Sequence, residues 1–273
     1  MNKTIFLIIF SIIVSNCARK PQYNDPIPAH DSFTIDSKFV NEQRVINVWT
    51  PPNYKQFNDS LPVIYMPDGG IKEDFPHIAN TIAKLIENKS IQPIILVGIE
   101  NTERRRDLTG FSEVEKDAEY CPLTDGAKDF RNFISQELIN EINKKYRVTN
   151  KKGIIGESLA GLFVMETFFL NPELFDFYIA MDPSLWWNNH YLQKNTKNYL
   201  KNFPNKTTKL WFAGSAAEDI SQHTNNVAET LQTNAPKQLI WKYSDEPNEK
   251  HNTIFRATKE KALIWILNTK SNE

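Results

Sequence analysis

Apolar and polar positions alternate along residues 33–39 and again along 43–49. That period-two pattern predicts two antiparallel strands with one covered face. Farther along, alternation gives way to short, continuous apolar runs at 63–66, 94–99, 154–155, 177–181, 210–213 and 239–243. Strands buried on both faces read this way, as in a parallel sheet. Helical spacing of apolar residues separates the runs, over 78–88, 126–146, 219–233 and 254–267. Strands alternating with helices predict an α/β fold, with a mainly parallel central sheet and helices on both faces. Such sheets bind ligands at the carboxyl ends of their strands. Here those ends gather Gly70, Asn101, Ser158, Asp182, Glu218 and His251 on one edge.

The most informative stretch is Gly156-Glu157-Ser158-Leu159-Ala160-Gly161. It follows an apolar run and opens an apolar helical pattern. A serine at the apex of a strand–turn–helix is a nucleophile elbow, which lifts the hydroxyl clear of the sheet. Small neighbours are required because strand and helix approach closely there. The motif is G-x-S-x-A-G rather than G-x-S-x-G. The plain alternative is that Ser158 caps the helix, a role serine favours.

A nucleophile needs a base, and in this type of fold the order is serine, acid, histidine. Of the five histidines, His223 and His251 lie well downstream. His223 falls on a helical surface. His251 falls in a polar loop between the last strand and the last helix, which makes it the candidate general base. The strand at 210–213 is followed by Glu218 and Asp219. Glu218 has the longer reach and is expected as the triad acid; Asp219 is expected to cap the following helix. An oxyanion hole needs two backbone N–H groups. Leu159, after the serine, is one candidate. Gly70 is the other, in the Asp68-Gly69-Gly70 break after the 63–66 strand. Trp186 and Trp187 lie just past a strand end, where each could wall a substrate pocket or pack in the core. Arg106 and Asp107 read as a structural ion pair.

The elbow, the Asp68-Gly69-Gly70 loop and the late His251 resemble the esterase branch of the α/β hydrolases. That branch includes enterobactin esterases and is related to feruloyl esterases and mycolyltransferases. Residues 101–109, 133–147 and Met181-Asp182-Pro183-Ser184-Leu185-Trp186-Trp187 carry the resemblance further. It covers roughly residues 33–267. It implies the α/β-hydrolase fold and hydrolysis of a carboxylic ester, siderophore- or glycan-linked, through an acyl-enzyme. It also carries the second oxyanion donor to Gly70. An acyltransferase and a non-catalytic binding lipoprotein are the rival classes, since one fold hosts many functions.

The N-terminus bears on location. A basic start is followed by an apolar run over 4–14, of signal-peptide length and too short to span a bilayer. Val14-Ser15-Asn16-Cys17 resembles a lipoprotein processing site. The expected organisation is a signal peptide over 1–17 with Cys17 lipidated, a tether over 18–30, and the esterase domain over 31–273. The protein would then be held by lipid to a bacterial membrane, in the cell envelope, facing the periplasm or exterior. Cys121 would be left without a disulfide partner. No metal-ligand spacing of Cys or His is present, and no cofactor is expected. With 32 basic and 33 acidic residues the net charge is −1, which lacks the basic surplus of a nucleic-acid footprint.

Overall fold

In the computed structural model, which describes residues 24–56 and 58–268, eight strands form one sheet in the order β1-β2-β4-β3-β5-β6-β7-β8. Strands β1 (Asp31–Ser37) and β2 (Glu42–Trp49) pair antiparallel, and β2 pairs antiparallel with β4 (Ile95–Ile99). From β4 onward every pairing is parallel, through β3 (Leu61–Pro67), β5 (Val148–Glu157), β6 (Phe177–Met181), β7 (Thr208–Ser215) and β8 (Leu239–Glu246). This is the expected α/β fold. The expected signal peptide with Cys17, and residues 18–23 of the expected tether, lie outside the described residues.

The strand pleat sends alternate residues to two cores. Val63 and Tyr65 pack on one side with Phe130, Phe163 and Val227; Ile64 and Met66 pack on the other with Ile78, Ile82, Leu263 and Ile266. Helices α1 (Phe75–Glu87) and α8 (Ile254–Leu267) therefore cover one face. The short α2 (Arg104–Asp107) follows β4. The other face is covered by α3 (Gly126–Asn132), α4 (Ile139–Lys145), α5 (Leu159–Leu170), α6 (Trp187–Lys201) and α7 (Glu218–Asn234). The single helix expected over 126–146 is interrupted by a π-helical stretch, Phe133–Leu138. Helix α6 is not legible as an apolar pattern. Few of its residues are buried, and it opens through Asn188, Asn189 and His190, all at positive φ.

The pair Arg106–Asp107 is structural, as read. Arg106 bridges Asp107 and Glu42, while the fully buried Arg44 donates to Asp107 at 2.6 Å.

Candidate active site

Three residues at parallel-strand ends carry side chains yet adopt positive φ: Asp68 (58°), Ser158 (61°) and Asp182 (47°). Such conformations cost of order 1–3 kcal/mol each and cluster at functional sites, where the fold over-determines them. Ser158 has φ 61° and ψ −121°, and its side chain makes no capping bond to α5. Instead its N–H donates to Met181 O at 3.0 Å, and its carbonyl accepts from Leu162 and Ser184. The capping alternative is thereby set aside.

Close approach explains the small residues around the serine. A Cβ on Gly156 would lie 2.6 Å from the backbone of Ala160, and one on Gly161 would lie 2.9 Å from Met181 O. Ala160 itself is fully buried. Gly156→Ala should therefore overpack the turn and lower stability by about 1–3 kcal/mol. Urea denaturation measures it; an unchanged midpoint would show that the turn can relax.

Ser158 Oγ and His251 Nε2 are 3.0 Å apart, and His251 Nδ1 lies 2.8 Å from Asp182 Oδ2. With the Nδ1 proton directed at the carboxylate, Nε2 is free to accept from the serine hydroxyl. His251 sits in the loop between β8 and α8, and the carbonyl of its neighbour Glu249 accepts from Ala216 N–H just beyond β7. The hydrogen bond to Asp182 raises the His251 pKa above its ordinary value, against desolvation, which lowers it.

The acid facing His251 is thus Asp182, not Glu218. Asp182 is fully buried at the end of β6, where Ser215 N–H donates to its Oδ1 at 2.6 Å and Ser215 Oγ to its Oδ2 at 2.7 Å. The end of β7 supplies donors to the acid rather than the acid itself. Glu218 and Asp219 are exposed in the first turn of α7. Asp219 makes no side-chain cap either; Ala217 holds that position. Asp182 stood at the expected edge, but its short Met-Asp-Pro context carries no mark separating an acid from a turn residue.

Leu159 begins α5, so its N–H belongs to the first turn, which has no intrahelical acceptor, and the residue lines the cleft beside Ser158. Gly70 differs from expectation. Its N–H donates to the Glu73 carboxylate at 2.7 Å, and it is absent from the cleft lining. Glu73 in turn accepts from Asn101, which also donates to Asp68. Burial raises the Glu73 pKa. The Gly70 amide is therefore committed within its own loop in this conformation.

The two tryptophans separate. Trp187 is buried, with its ring N–H donating to Gly110 O at 3.0 Å. Trp186 lines the cleft. The cleft has a volume of about 290 Å³ and also includes Arg104, Arg105, Tyr120 and Cys121. Burial pushes the Cys121 thiol up, which keeps it protonated and a poor nucleophile. Among the described residues no group of three or more His, Cys, Asp or Glu could hold a metal ion.

A family model described as "Putative esterase" matches residues 37–268. The chain belongs to that family. The family assignment agrees with the resemblance read from the elbow and its companions. Among curated relatives, the ferri-bacillibactin esterase BesA of Bacillus subtilis is 29% identical over 191 residues, 62% of this chain and 66% of that protein. The apo-salmochelin esterase of Escherichia coli is 24% identical over 252 residues, 85% of this chain and 78% of that protein. The match thus spans just under two thirds of the Bacillus protein. The solved structure of an IroE-like serine hydrolase from Shewanella oneidensis superimposes with a TM-score of 0.79 at 25% identity, over 88% of this chain and 80% of the other. The sheet is that of the α/β hydrolases.

Proposed function

We propose that this family member is a serine esterase that cleaves a siderophore ester through an acyl-enzyme on Ser158. One observation carries the reading: a continuous hydrogen-bonded chain from Ser158 to His251 to Asp182, built on the strand ends of an esterase-family sheet. His251 Nε2 accepts the serine proton as Oγ bonds to the ester carbon. The resulting imidazolium, stabilised by Asp182, gives that proton to the departing alkoxide as the carbon–oxygen bond breaks. Water then attacks the acyl-enzyme, His251 takes its proton, and Ser158 is released. The Leu159 N–H is the oxyanion donor this conformation offers; Gly70 joins only if Glu73 leaves its amide. Siderophore esters are favoured over glycan-linked ones because the relatives named above are a ferri-bacillibactin esterase and an apo-salmochelin esterase.

The test is hydrolysis of a cyclic siderophore lactone, a feruloylated glycan and a short-acyl chromogenic ester by the purified protein. Turnover of the chromogenic ester and the lactone is expected. No hydrolysis of any of the three, with no labelling by a fluorophosphonate, would sink the reading.

The lipobox-like Val14-Ser15-Asn16-Cys17 supports a further part of the proposal, lipid anchoring in the cell envelope. Each buried CH₂ contributes roughly 0.8 kcal/mol, so a multiply acylated Cys17 would hold the protein firmly to a membrane. Cys17→Ala should then release it into the soluble fraction. A parent protein that fractionates as soluble, with no acyl mass on its N-terminal peptide, would refute the anchor.

A further inference from the structure

The loop after β3 carries a carboxylate, Glu73, that takes no part in the proton relay yet sits over an amide close to it. Tyr65 of β3 stands opposite Ile154 of β5, and the two strands are parallel. Counting on from that register, Asp68 comes level with Glu157, and Gly70 lies just beyond the level of Ser158. Neighbouring strands run about 4.8 Å apart, so the Gly70 amide emerges beside the nucleophile. The loop also touches the cleft wall: Arg104 lines the cleft and closes its fork on Asp68, with Nε and Nη2 donating at 2.6 and 2.7 Å.

Glu73 is held by Gly70 N–H on Oε2 at 2.7 Å and by Asn101 Nδ2 on Oε1 at 2.9 Å. It lies directly over the glycine: a Cβ on Gly70 would meet Glu73 Oε2 at 2.8 Å and the Glu100 side chain at 2.9 Å. The seat is a poor one for a negative charge. Burial pushes the Glu73 carboxyl above its ordinary range, and the charge of Asp68 adds to that push, against the Gly70 and Asn101 hydrogen bonds. Turning the carboxylate out to water relieves both costs. The backbone need not follow, because the turn is closed by its own bond, Glu73 N–H to Gly70 O at 3.0 Å.

We propose that Glu73 is a gate on the oxyanion hole: its carboxylate occupies the Gly70 amide in the resting protein, and that amide serves the reaction only when the side chain turns out. The gate rests on the esterase reading, since it acts on acyl transfer at Ser158. Glu73 touches no reacting atom. It works through Gly70 and is a positioning residue with a negative effect. The closed gate withholds one donor and places a carboxylate where an oxyanion must form, so each turnover begins by breaking a charge-assisted hydrogen bond. Removing the carboxylate should therefore speed the chemical step.

The test compares the parent with Glu73→Ala and Glu73→Gln, each checked by a melting curve. With a short-acyl ester, Glu73→Ala should raise kcat about tenfold at a nearly unchanged KM, as the loss of one hydrogen bond to a charged group allows. Butylboronic acid supplies a second readout without turnover. Its tetrahedral adduct on Ser158 puts an oxygen into the hole, and calorimetry should show it bound about tenfold more tightly by Glu73→Ala. Glu73→Gln keeps an acceptor over Gly70 without the charge and should fall between the parent and Glu73→Ala. A side chain that merely shapes the loop would instead lower kcat and boronate affinity in both variants. An unchanged or lower kcat and boronate affinity in folded Glu73→Ala overturns the gate. If that variant does not fold, Glu73→Gln decides, and boronate affinity at or below the parental value overturns it. A parent that neither hydrolyses the ester nor reacts with a fluorophosphonate removes the esterase reading and the gate with it, whereas an active parent without gain in the variants removes the gate alone.

Discussion

Ser158→Ala is expected to lower ester turnover by about six orders of magnitude while leaving the protein folded. The loss is that large because nothing else in the cleft can replace the hydroxyl. The neighbouring Cys121 is held protonated by burial, and among the described residues Ser158 is the serine hydrogen-bonded to His251. The fold should not suffer, because the serine side chain caps nothing and its strained backbone is held by Met181, Leu162 and Ser184 through main-chain bonds that alanine keeps. Steady-state hydrolysis of a short-acyl ester, with a melting curve alongside, measures both. A fluorophosphonate should label the parent and leave the variant unlabelled. Near-parental turnover by the pure variant would remove Ser158 as nucleophile.

Asp182→Asn should cost about 10⁴ in turnover. Asp182 accepts three hydrogen bonds, from Ser215 N–H, Ser215 Oγ and His251. An asparagine has one oxygen and one NH₂ at the same two places. If the oxygen keeps the Ser215 amide, the NH₂ faces His251 Nδ1, which must then accept. The ring proton moves to Nε2, and the imidazole can no longer take the proton of Ser158. The pH profile supplies an independent check. His251 must be neutral to act as base, so the rate falls as pH drops through its pKa. In the parent that pKa lies above the ordinary histidine value, chiefly because of the Asp182 hydrogen bond. In the variant the acid limb should move to lower pH as well as lose amplitude. Glu218→Gln should change neither rate nor limb, because Glu218 is exposed on α7. A crippled Glu218→Gln beside an active Asp182→Asn would reverse the assignment of the acid.

How much of this could be read beforehand depended on how local each cause is. The alternation at β1 and β2, and the apolar runs of the parallel strands, follow from which faces are buried, so they are written along the chain. The elbow is local too: Gly156, Ala160 and Gly161 are small because a Cβ on either glycine would strike backbone a few residues away or on the next strand. The late loop position of His251 followed from chain order in this kind of sheet.

Other features belong to the assembled sheet. The acid was expected after β7, because two carboxylates follow that strand; it stands instead at the end of β6. The choice of β6 depends on Ser215, which lies 33 residues from Asp182 and donates two hydrogen bonds to its carboxylate. The Gly70 amide was expected to be open, but Glu73 folds back onto it from one turn away. The adjacent Trp186 and Trp187 were indistinguishable as letters. They part because the turn before α6 sends one ring to Gly110 and the other to Tyr120. Arg104 and Arg105 are likewise adjacent and identical as letters, and only the approach of Asp68 commits the first to a two-point ion pair. Burial and close approach leave a periodic trace in sequence, whereas the partner of a buried charge is chosen by which strand end comes to rest beside it in three dimensions.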